Sequence, residues 1–332
     1  MIRAAGAFTL AMVIALYATP LMRQAAIRFG IVDRPDGRLK KQAEPVPYLG
    51  GIAIYLSFLL ALTATLRFES PEVLGLLLAG AIAVILGLID DFGVLTPRVK
   101  LAGQVVAVLT LINSSVYIKL AFLPPPVAIV LSFVWLLAIT NAFNIIDVMD
   151  GLAAGVASVA AFVLFLVAAW NGRGTSAVIL AALCGALLGF LRSNFEPARI
   201  YMGDTGSMFI GLMLGALAMN NSYTRSNLVA SLAPVVILGV PIFDMLFVMY
   251  VRYRRGIPVM LGSPDHFALR LRKWRLSTRQ TVLLSYAATL ALGILAIAMM
   301  LSGPAGALAI LATLAAASIA LALFLKRVDM TL

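Results

Sequence analysis

A few polar side chains interrupt the long apolar runs of this sequence, and they are of the types that handle metal ions and phosphates. Asp90 and Asp91 are adjacent carboxylates, which repel each other unless a cation or a proton compensates. Carboxylate and amide oxygens are the hard ligands that Mg²⁺ prefers, and cationic side chains neutralise phosphate oxygens. The acids and amides in question are Asp90, Asp91, Asn141, Asn144, Asp147, Asp150, Asp204 and Asp244.

One of these groups repeats at every third residue: Asn141, Asn144, Asp147 and Asp150. This spacing predicts that the four side chains lie along one side of a helix. That side cannot face lipid, because unpaired amides and carboxylates there would cost several kcal/mol. We expect this side to face water, a cation or other helices. If it faces other helices, the four residues could form a purely structural polar seam instead of a functional site.

Two single acids allow a structural and a functional interpretation each. Asp204 lies in the segment Met202–Ser207, whose glycines let a backbone approach a ligand closely; it could also be a helix N-cap. Asp244 lies inside an apolar run, where acids are costly and often functional. It could instead pair with Arg252 or Arg254 at the end of that run.

Basic residues accompany the acids. Lys100 follows Asp90 by ten positions and supplies positive charge to the same locality. His266, the only histidine, cannot form a histidine-based metal site, and the mixture of apolar and basic residues that follows it is typical of an interfacial helix. The stretch 33–41 is either a solvated loop that sets topology or a phosphate-binding loop.

The elements that carry these residues are long apolar segments. Of the 332 residues 62% are apolar and 12% are charged, whereas roughly a quarter of an ordinary soluble domain is charged. A membrane-spanning helix needs about 20 apolar residues, so the apolar residues of this chain would suffice for about ten spanning helices. The single cysteine, Cys184, excludes a disulfide scaffold. The apolar runs are Ala4–Leu21, Tyr48–Leu66, Val73–Ile89, Leu101–Ile118, Pro124–Thr140, Leu152–Trp170, Ser176–Leu191, Met208–Met219, Val229–Val251, Thr281–Met300 and Pro304–Leu325.

Lysine and arginine are unevenly distributed among the connections between these runs. Twenty of the 25 lie in the odd-numbered connections and at the C-terminus; the other five are Arg3, Arg67, Lys119, Arg173 and Arg225. Because positive charge marks the cytoplasmic side, we predict an N-terminus outside and a C-terminus inside. The net charge of +11 then indicates topology rather than nucleic-acid binding. The expected fold is an all-α polytopic membrane protein of about ten to eleven transmembrane helices, with one domain over residues 1–332.

Taken together, the motifs resemble those of the polyprenyl-phosphate N-acetylhexosamine-1-phosphate transferases, glycosyltransferase family 4. The segment Pro241-x-x-Asp244 is similar to the N-acetylglucosamine branch. The other matching segments, in family order, are Asp33-Arg34-Pro35, Gly50-Gly51, Asp90-Asp91, Asn141-x-x-Asn144-x-x-Asp147-x-x-Asp150-Gly151-Leu152 and Met202-Gly203-Asp204-Thr205-Gly206-Ser207.

The resemblance implies a reaction in which a UDP-N-acetylhexosamine donates its sugar-1-phosphate to undecaprenyl phosphate and UMP is released. N-acetylglucosamine is the expected sugar, Mg²⁺ the expected cofactor with Mn²⁺ as a substitute, and the cytoplasmic face of a bacterial inner membrane the expected location. No nucleic-acid partner is expected, and a homodimer stays an open alternative.

The resemblance also assigns roles to individual residues. The implied Mg²⁺ ligands are Asn144 and Asp204. The implied catalytic residues are Asp90, Asp91, Lys100, Asp147, Asp150 and His266. The expected substrate-binding residues include Asn141, Lys100 and Asp244, and Arg270 and Arg272 join them as a hypothesis of our own. Within these sets, Asp90 and Asp91 would position or deprotonate the lipid phosphate, and Lys100 would contact the diphosphate.

The sequence departs from the family pattern after His266. Ala268 and Leu269 stand where the family's His-x-His-His stretch has its second and third histidines. We hypothesise that Arg270 and Arg272 supply the missing phosphate contacts. The loss of these histidines argues against the related phospho-N-acetylmuramoyl-pentapeptide transferases.

Two other classes of protein are alternatives to this assignment. A lipid or solute transporter would place its site near the bilayer midplane, whereas most acids here gather at one predicted face. A CDP-alcohol phosphotransferase would require an Ala-Arg pair after Asp150-Gly151, and this pair is absent.

Overall fold

The computed structural model describes residues 1–33, 45–224, 226–258, 263–328 and 330. Most of the basic stretch 33–41 lies outside the described residues, so both interpretations of that stretch stay open. The described part of the chain is organised in two compact units, Met1–Asn221 and Ser222–Leu332. The single domain expected for residues 1–332 stays a prediction.

The described residues of the first unit form eight helices and a two-stranded antiparallel sheet that pairs Val32 with Pro47. Its elements are α1 (Ile2–Arg28), β1 (Val32–Asp33), β2 (Val46–Pro47), α2 (Gly50–Thr65), α3 (Pro71–Asp91), α4 (Pro97–Asn113), α5 (Pro125–Ile146), α6 (Leu152–Trp170), α7 (Gly174–Asn194) and α8 (Gly203–Met219).

The helix α8 occupies the interior of this unit, because it packs against α2, α3, α5 and α6. Elsewhere small residues permit close contact, as between α1 and α7, where a side chain at Gly185 would collide with the carbonyl of Phe8. Such close approach maximises dispersion contacts between helices in a membrane, where lipid removes the hydrophobic drive for association. The buried face of α1 accordingly carries Ala4, Ala7, Ala11 and Ala15.

The second unit has one sharp bend. A 3₁₀ turn (Val229–Leu232) continues into α9 (Ala233–Ile237), and this segment meets α10 (Gly239–Arg254) at 78°. The unit is completed by α11 (Phe267–Trp274), α12 (Thr278–Leu301) and α13 (Pro304–Lys326). The short helix α11 coincides with the stretch for which the sequence predicts an interfacial helix.

Among the described residues, seven helices are long and apolar enough to cross a membrane, and the bent pair makes eight if it counts as one span. The seven are α1, α3, α5, α6, α7, α12 and α13. The remaining apolar runs form α2, α8 and α4, which are shorter. The all-α, multi-pass membrane class is therefore confirmed, whereas the number of ten to eleven spans and the orientation of the termini stay predictions.

Candidate active site

The centre of the candidate site is the ammonium group of Lys100. Its Nζ lies 2.7 Å from Asp90 Oδ2 and 2.6 Å from Asp204 Oδ2, and it donates a hydrogen bond of 3.0 Å to Asn144 Oδ1. The three partners come from the end of α3, the start of α8 and the end of α5. Side chains from four helices, including α4 itself, thus converge on one cation, and we call these four residues the Lys100 cluster.

Local sequence at the start of α4 puts Lys100 in position. Thr96 caps this helix by accepting a hydrogen bond from the backbone N–H of Val99, and Pro97 occupies the first turn. Lys100 consequently falls near the positive end of the helix dipole, which disfavours a cation. The carboxylates of Asp90 and Asp204 offset this cost.

The adjacent acids Asp90 and Asp91 have different partners. Asp90 contacts Lys100, whereas Asp91 accepts hydrogen bonds from the backbone N–H groups of Asp204 (2.7 Å) and Thr205 (3.1 Å) and from the Thr205 hydroxyl (2.6 Å). Asp91 therefore neutralises the positive N-terminus of α8. The predicted need for compensation of the acidic pair is met twice, by a lysine and by a helix end.

The segment before α8 fits closely around Asp91. Gly203 adopts a positive φ of +71°, and a side chain there would collide with the Asp91 carboxylate. The expected alternative, in which Asp204 caps α8, is wrong: the N-cap position is Met202, and Asp204 lies inside the first turn. Its side chain is thereby directed to Lys100 and Asn144 instead of its own backbone.

The repeat of polar residues from 141 to 150 does not form one helical face. Helix α5 ends at Ile146, and Asp147 (φ −78°, ψ 63°) forms a tight turn in which the N–H of Val148 donates to the Ile146 carbonyl at 2.8 Å. The predicted helical seam is therefore wrong beyond Asn144, because the chain must reverse direction between α5 and α6. Gly151, at a φ of +75°, is the N-cap residue of α6.

The turn after α5 gives Asp150 a different environment. Its Oδ2 accepts a hydrogen bond of 2.8 Å from the backbone N–H of Ala198. The neighbouring Gly151 donates its N–H to Asn194, which in turn donates to the carbonyl of Ile200. Asp150 is thus part of a network that joins this turn to the segment between α7 and α8.

The two asparagines of α5 bind neighbouring helices. Asn144 donates from Nδ2 to Asp204 (2.6 Å) and to the hydroxyl of Ser207 (3.0 Å). Asn141 donates to Gln104 Oε1 at 2.8 Å, one turn below Lys100 on α4. Sequence reasoning missed Gln104, although its position four residues after Lys100 places both on one helix face.

Burial and charge raise the pKa of Asp147 to about 8, through the loss of hydration first and then the nearby charges of Asp204, Asp91 and Asp150. Its carboxyl group forms no hydrogen bond within the described part of the chain. A protonated carboxyl at neutral pH is a hydrogen-bond donor, so Asp147 can donate to an anionic ligand in this region.

A second group consists of Asp33, which lies in one of the matching motifs, and of Tyr48 and Tyr201, which sequence reasoning missed. The Tyr48 and Tyr201 rings lie 6.1 Å apart, and Tyr48 is hydrogen-bonded to Asp33. Burial and the charges of Asp150 and Asp33 raise the pKa of Tyr201 to about 12, and burial with Asp33 raises the pKa of Tyr48 further. Both phenols therefore stay protonated donors at neutral pH.

Backbone hydrogen bonds tie this group to the start of α8. The N–H groups of Gly50 and Gly51 donate to the carbonyls of Tyr201 (3.0 Å) and Met202 (2.9 Å), and the N–H of Tyr201 donates to Pro47 (2.9 Å). The Gly50-Gly51 motif thus connects the start of α2 to the segment that carries Asp204.

The donor set of the Lys100 cluster suits a magnesium ion. No group of three or more His, Cys, Asp or Glu side chains is arranged to hold a metal among the described residues. However, Mg²⁺ usually takes only one or two carboxylates and completes its shell with water and substrate phosphates. Asp90, Asn144 and Asp204 already direct three hard oxygens at one cation, so these residues fit the expected ion.

Two other predicted residues, Asp244 and His266, meet within the second unit. Asp244 is fully buried and lies 2.9 Å from Nδ1 of His266; it also accepts a hydrogen bond of 2.8 Å from the N–H of Phe267. Asp244 therefore contacts His266, and pairing with the arginines at the end of α10 is not its only interaction.

The two arginines that were expected to replace the missing histidines differ in exposure. Arg270 is 1% exposed; its guanidinium donates to Asp265 (2.6 Å) and to the carbonyls of Leu325 (3.0 Å) and Val328 (2.8 Å). Arg272 is exposed. Arg272 is therefore the more accessible of the two, and a substrate contact by either stays a prediction.

Comparison with known proteins agrees with this geometry. A family model described as Glycosyl transferase family 4 matches residues 73–222, which include the whole Lys100 cluster. A Bacillus subtilis protein named as a probable undecaprenyl-phosphate N-acetylglucosaminyl 1-phosphate transferase is 31% identical over 86% of this chain and 82% of its own length. The chain belongs to glycosyl transferase family 4. The resemblance found in its motifs is confirmed.

Other family 4 relatives extend over a similar share of the chain. The decaprenyl-phosphate N-acetylglucosaminephosphotransferase of Mycolicibacterium smegmatis is 34% identical over 83% of this chain and 77% of its own length. The undecaprenyl-phosphate alpha-N-acetylglucosaminyl 1-phosphate transferase of Salmonella typhi is 26% identical over 82% of this chain and 78% of its own length. These matches extend well beyond the family model, into the second unit.

Proposed function

We propose that this family 4 enzyme transfers N-acetylglucosamine-1-phosphate from UDP-N-acetylglucosamine to undecaprenyl phosphate, at the cytoplasmic face of a bacterial inner membrane and with Mg²⁺. The observation that carries the proposal is the Lys100 cluster, in which a cation and three oxygen donors meet at the ends of apolar helices. Such a position suits a reaction between a water-soluble donor and a lipid phosphate.

In the proposed reaction, an oxygen of the acceptor phosphate forms a bond to the β-phosphorus of the nucleotide sugar. The bond between that phosphorus and the bridging oxygen breaks, and the oxygen leaves with UMP. Phosphoryl transfer depends on positioning and on neutralisation of phosphate oxygens. Lys100 supplies a positive charge for this purpose, and Asp90, which already contacts Lys100, orients the acceptor phosphate.

Asn144, Asp204 and Asp90 would hold the magnesium ion. When bound, it would neutralise charge on the diphosphate of the donor. The hydrogen bonds of Asn144 to Asp204 and Ser207 keep these oxygens at the start of α8. The protonated Asp147 and Tyr201 offer hydrogen bonds to the nucleotide sugar on the side of Asp150.

The names of the relatives support the choice of sugar. The proteins from Bacillus subtilis, Mycolicibacterium smegmatis and Salmonella typhi are all named for N-acetylglucosamine, and none for a muramoyl pentapeptide. All three are named as transferases, which disfavours the transporter alternative. Their names differ in the acceptor, undecaprenyl or decaprenyl phosphate, so the length of the lipid must be tested.

The proposal is tested with the purified full-length protein in lipid nanodiscs. The protein is incubated with undecaprenyl or decaprenyl phosphate, Mg²⁺ and a panel of UDP-sugars, and the release of UMP is measured. We expect release with UDP-N-acetylglucosamine only when a lipid phosphate is present, and its loss when EDTA removes the metal. Folded protein that releases no UMP from any UDP-sugar would contradict the proposal.

A further inference from the structure

One carboxylate in the second unit holds two groups at once. Asp244 Oδ2 lies 2.9 Å from Nδ1 of His266, and Asp244 Oδ1 accepts the N–H of Phe267 at 2.8 Å. Phe267 is the first residue of α11, and His266 is its N-cap. Asp244 therefore fixes the imidazole ring and the backbone that carries it.

The neighbouring buried acid has a separate set of partners. Asp265 is fully buried as well, but its oxygens accept from the guanidinium groups of Arg255 and Arg270. Arg270 also donates to the carbonyls of Leu325 and Val328, which attaches α11 to the end of α13. The second unit thus has its own ion pairs for stability, and the contact of Asp244 with His266 is additional to them.

The geometry determines which ring nitrogen carries the proton. An ionised carboxylate only accepts hydrogen bonds, so Nδ1 of a neutral His266 must be the donor. Nε2 then has a lone pair, and it forms no hydrogen bond within the described residues. The hydrogen bond to one ring nitrogen of a histidine determines the state of the other.

We propose that Asp244 is a positioning residue that holds His266 in the Nδ1–H tautomer and leaves Nε2 for the phosphates or the proton transfers of the reaction. This inference rests on the proposed function and on the catalytic role that the family resemblance implies for His266. It replaces the earlier expectation that Asp244 itself binds substrate, since its two oxygens are occupied and its side chain is fully buried.

The tautomer is measured without any assay of activity. Because the chain has a single histidine, uniform ¹⁵N-histidine labelling yields one imidazole, and long-range ¹H–¹⁵N spectra of the full-length protein in nanodiscs distinguish Nδ1–H from Nε2–H. We expect the neutral ring of the wild-type protein to carry its proton on Nδ1. A wild-type Nε2–H tautomer overturns the proposal even if the enzyme is fully active.

Asp244→Asn reverses the expected tautomer. The N–H of Phe267 can only donate, so the amide oxygen of the new asparagine stays with it and the NH₂ group faces Nδ1. His266 must then accept at Nδ1 and protonate Nε2. Asp265→Asn is the matched control, an equally buried acid near the same helix, and it should leave the tautomer unchanged. An unchanged tautomer in Asp244→Asn contradicts the inference.

Activity then shows whether Asp244 acts through His266. We expect Asp244→Asn to lower kcat about 10²-fold, the lower range for loss of a general acid or base, and His266→Gln to lower it at least as much. The double variant should be no slower than His266→Gln alone; additive losses would overturn the positioning role. If Asp244→Asn does not fold, Asp244→Glu, which keeps the acceptors, replaces it and should retain Nδ1–H.

Discussion

The two units of this protein use the same residue types in opposite ways. In the Lys100 cluster, the side chains of Asp90, Lys100 and Asp204 are 13%, 18% and 33% exposed. In the second unit, Asp244 and Asp265 are 0% exposed, and each is held by two groups of its own unit. Partial exposure leaves oxygens available for a ligand, whereas complete burial with full pairing holds Asp265 in ion pairs and Asp244 against His266.

This comparison teaches that a costly buried acid does not by itself identify a catalytic site. Breaking a buried ion pair leaves an uncompensated charge and is strongly destabilising. Losing a side chain from a preorganised site instead costs transition-state stabilisation. Variants of the Lys100 cluster should therefore lose turnover, whereas variants of the ion pairs around Asp265 should lose stability.

The largest effect is expected from Asp204→Asn. This change keeps the shape of the side chain but removes the charge that faces Lys100 and the expected magnesium ion. We expect turnover to fall by about 10³-fold or more, with little change in the melting temperature. UMP release and thermal unfolding measure the two quantities; near-normal turnover would remove Asp204 from the metal site.

Lys100→Met should cost slightly less, about 10²- to 10³-fold in turnover. The variant removes the positive charge that both Asp90 and Asp204 contact, and with it the charge offered to the diphosphate. Lys119→Met is the control, because Lys119 lies over the ring of Tyr117 and is not one of the residues of the Lys100 cluster. Equal losses in both variants would contradict a specific role for Lys100.

Arg270→Met tests the second unit and should act on stability. The variant removes one of the two cations that contact Asp265 and the hydrogen bonds to the end of α13. We therefore expect the free energy of unfolding to fall by about 3 kcal/mol. Arg272→Met, at an exposed position two residues away, should change stability by less than about 0.5 kcal/mol. Chemical or thermal unfolding measures the stability of the two variants. Similar losses of stability in Arg270→Met and Arg272→Met would refute the structural role of Arg270.

The adjacent acids sharpen the same contrast within the first unit. Asp91→Asn weakens three hydrogen bonds at the start of α8, and we expect a loss of about 1–3 kcal/mol in unfolding free energy. Asp90→Asn should chiefly lower turnover, because its partner is Lys100. If Asp90→Asn proves the more destabilising of the two, this division of roles is wrong.

The smallest effect is expected from Asp147→Asn and depends on pH. The pKa of Asp147 in the folded protein, about 8, lies above its ordinary value of 3.8. Between pH 4 and pH 8 the folded state therefore keeps a proton on Asp147 that the unfolded state has released. Wild-type stability should therefore fall, relative to the variant, as the pH rises from 4 to 8. With EDTA present, the variant should melt higher than the wild-type protein at pH 8, and the difference should shrink towards pH 4; an advantage that is independent of pH would contradict the assigned cause.

Part of the fold follows directly from the sequence. Each of the eleven apolar runs overlaps a helix or the bent pair, although the run Leu101–Ile118 extends past the end of α4 at Asn113. Helices satisfy their own backbone hydrogen bonds in lipid, and the thickness of the bilayer fixes their length. The motifs around Asp90, Asn144 and Asp204 identified the family. Their convergence was expected from the predicted sidedness.

Individual roles depended on the tertiary structure. Sequence spacing could not separate Asp90 from Asp91, place the end of α5 before Asp147, or join Asp33 to Tyr48 and Tyr201. The sequence determined which segments form apolar helices and which residue types lie at their ends. Only the packing of those helices decided the partner of each acid, because hydrogen bonds and charges act over a few ångströms between residues far apart in the chain.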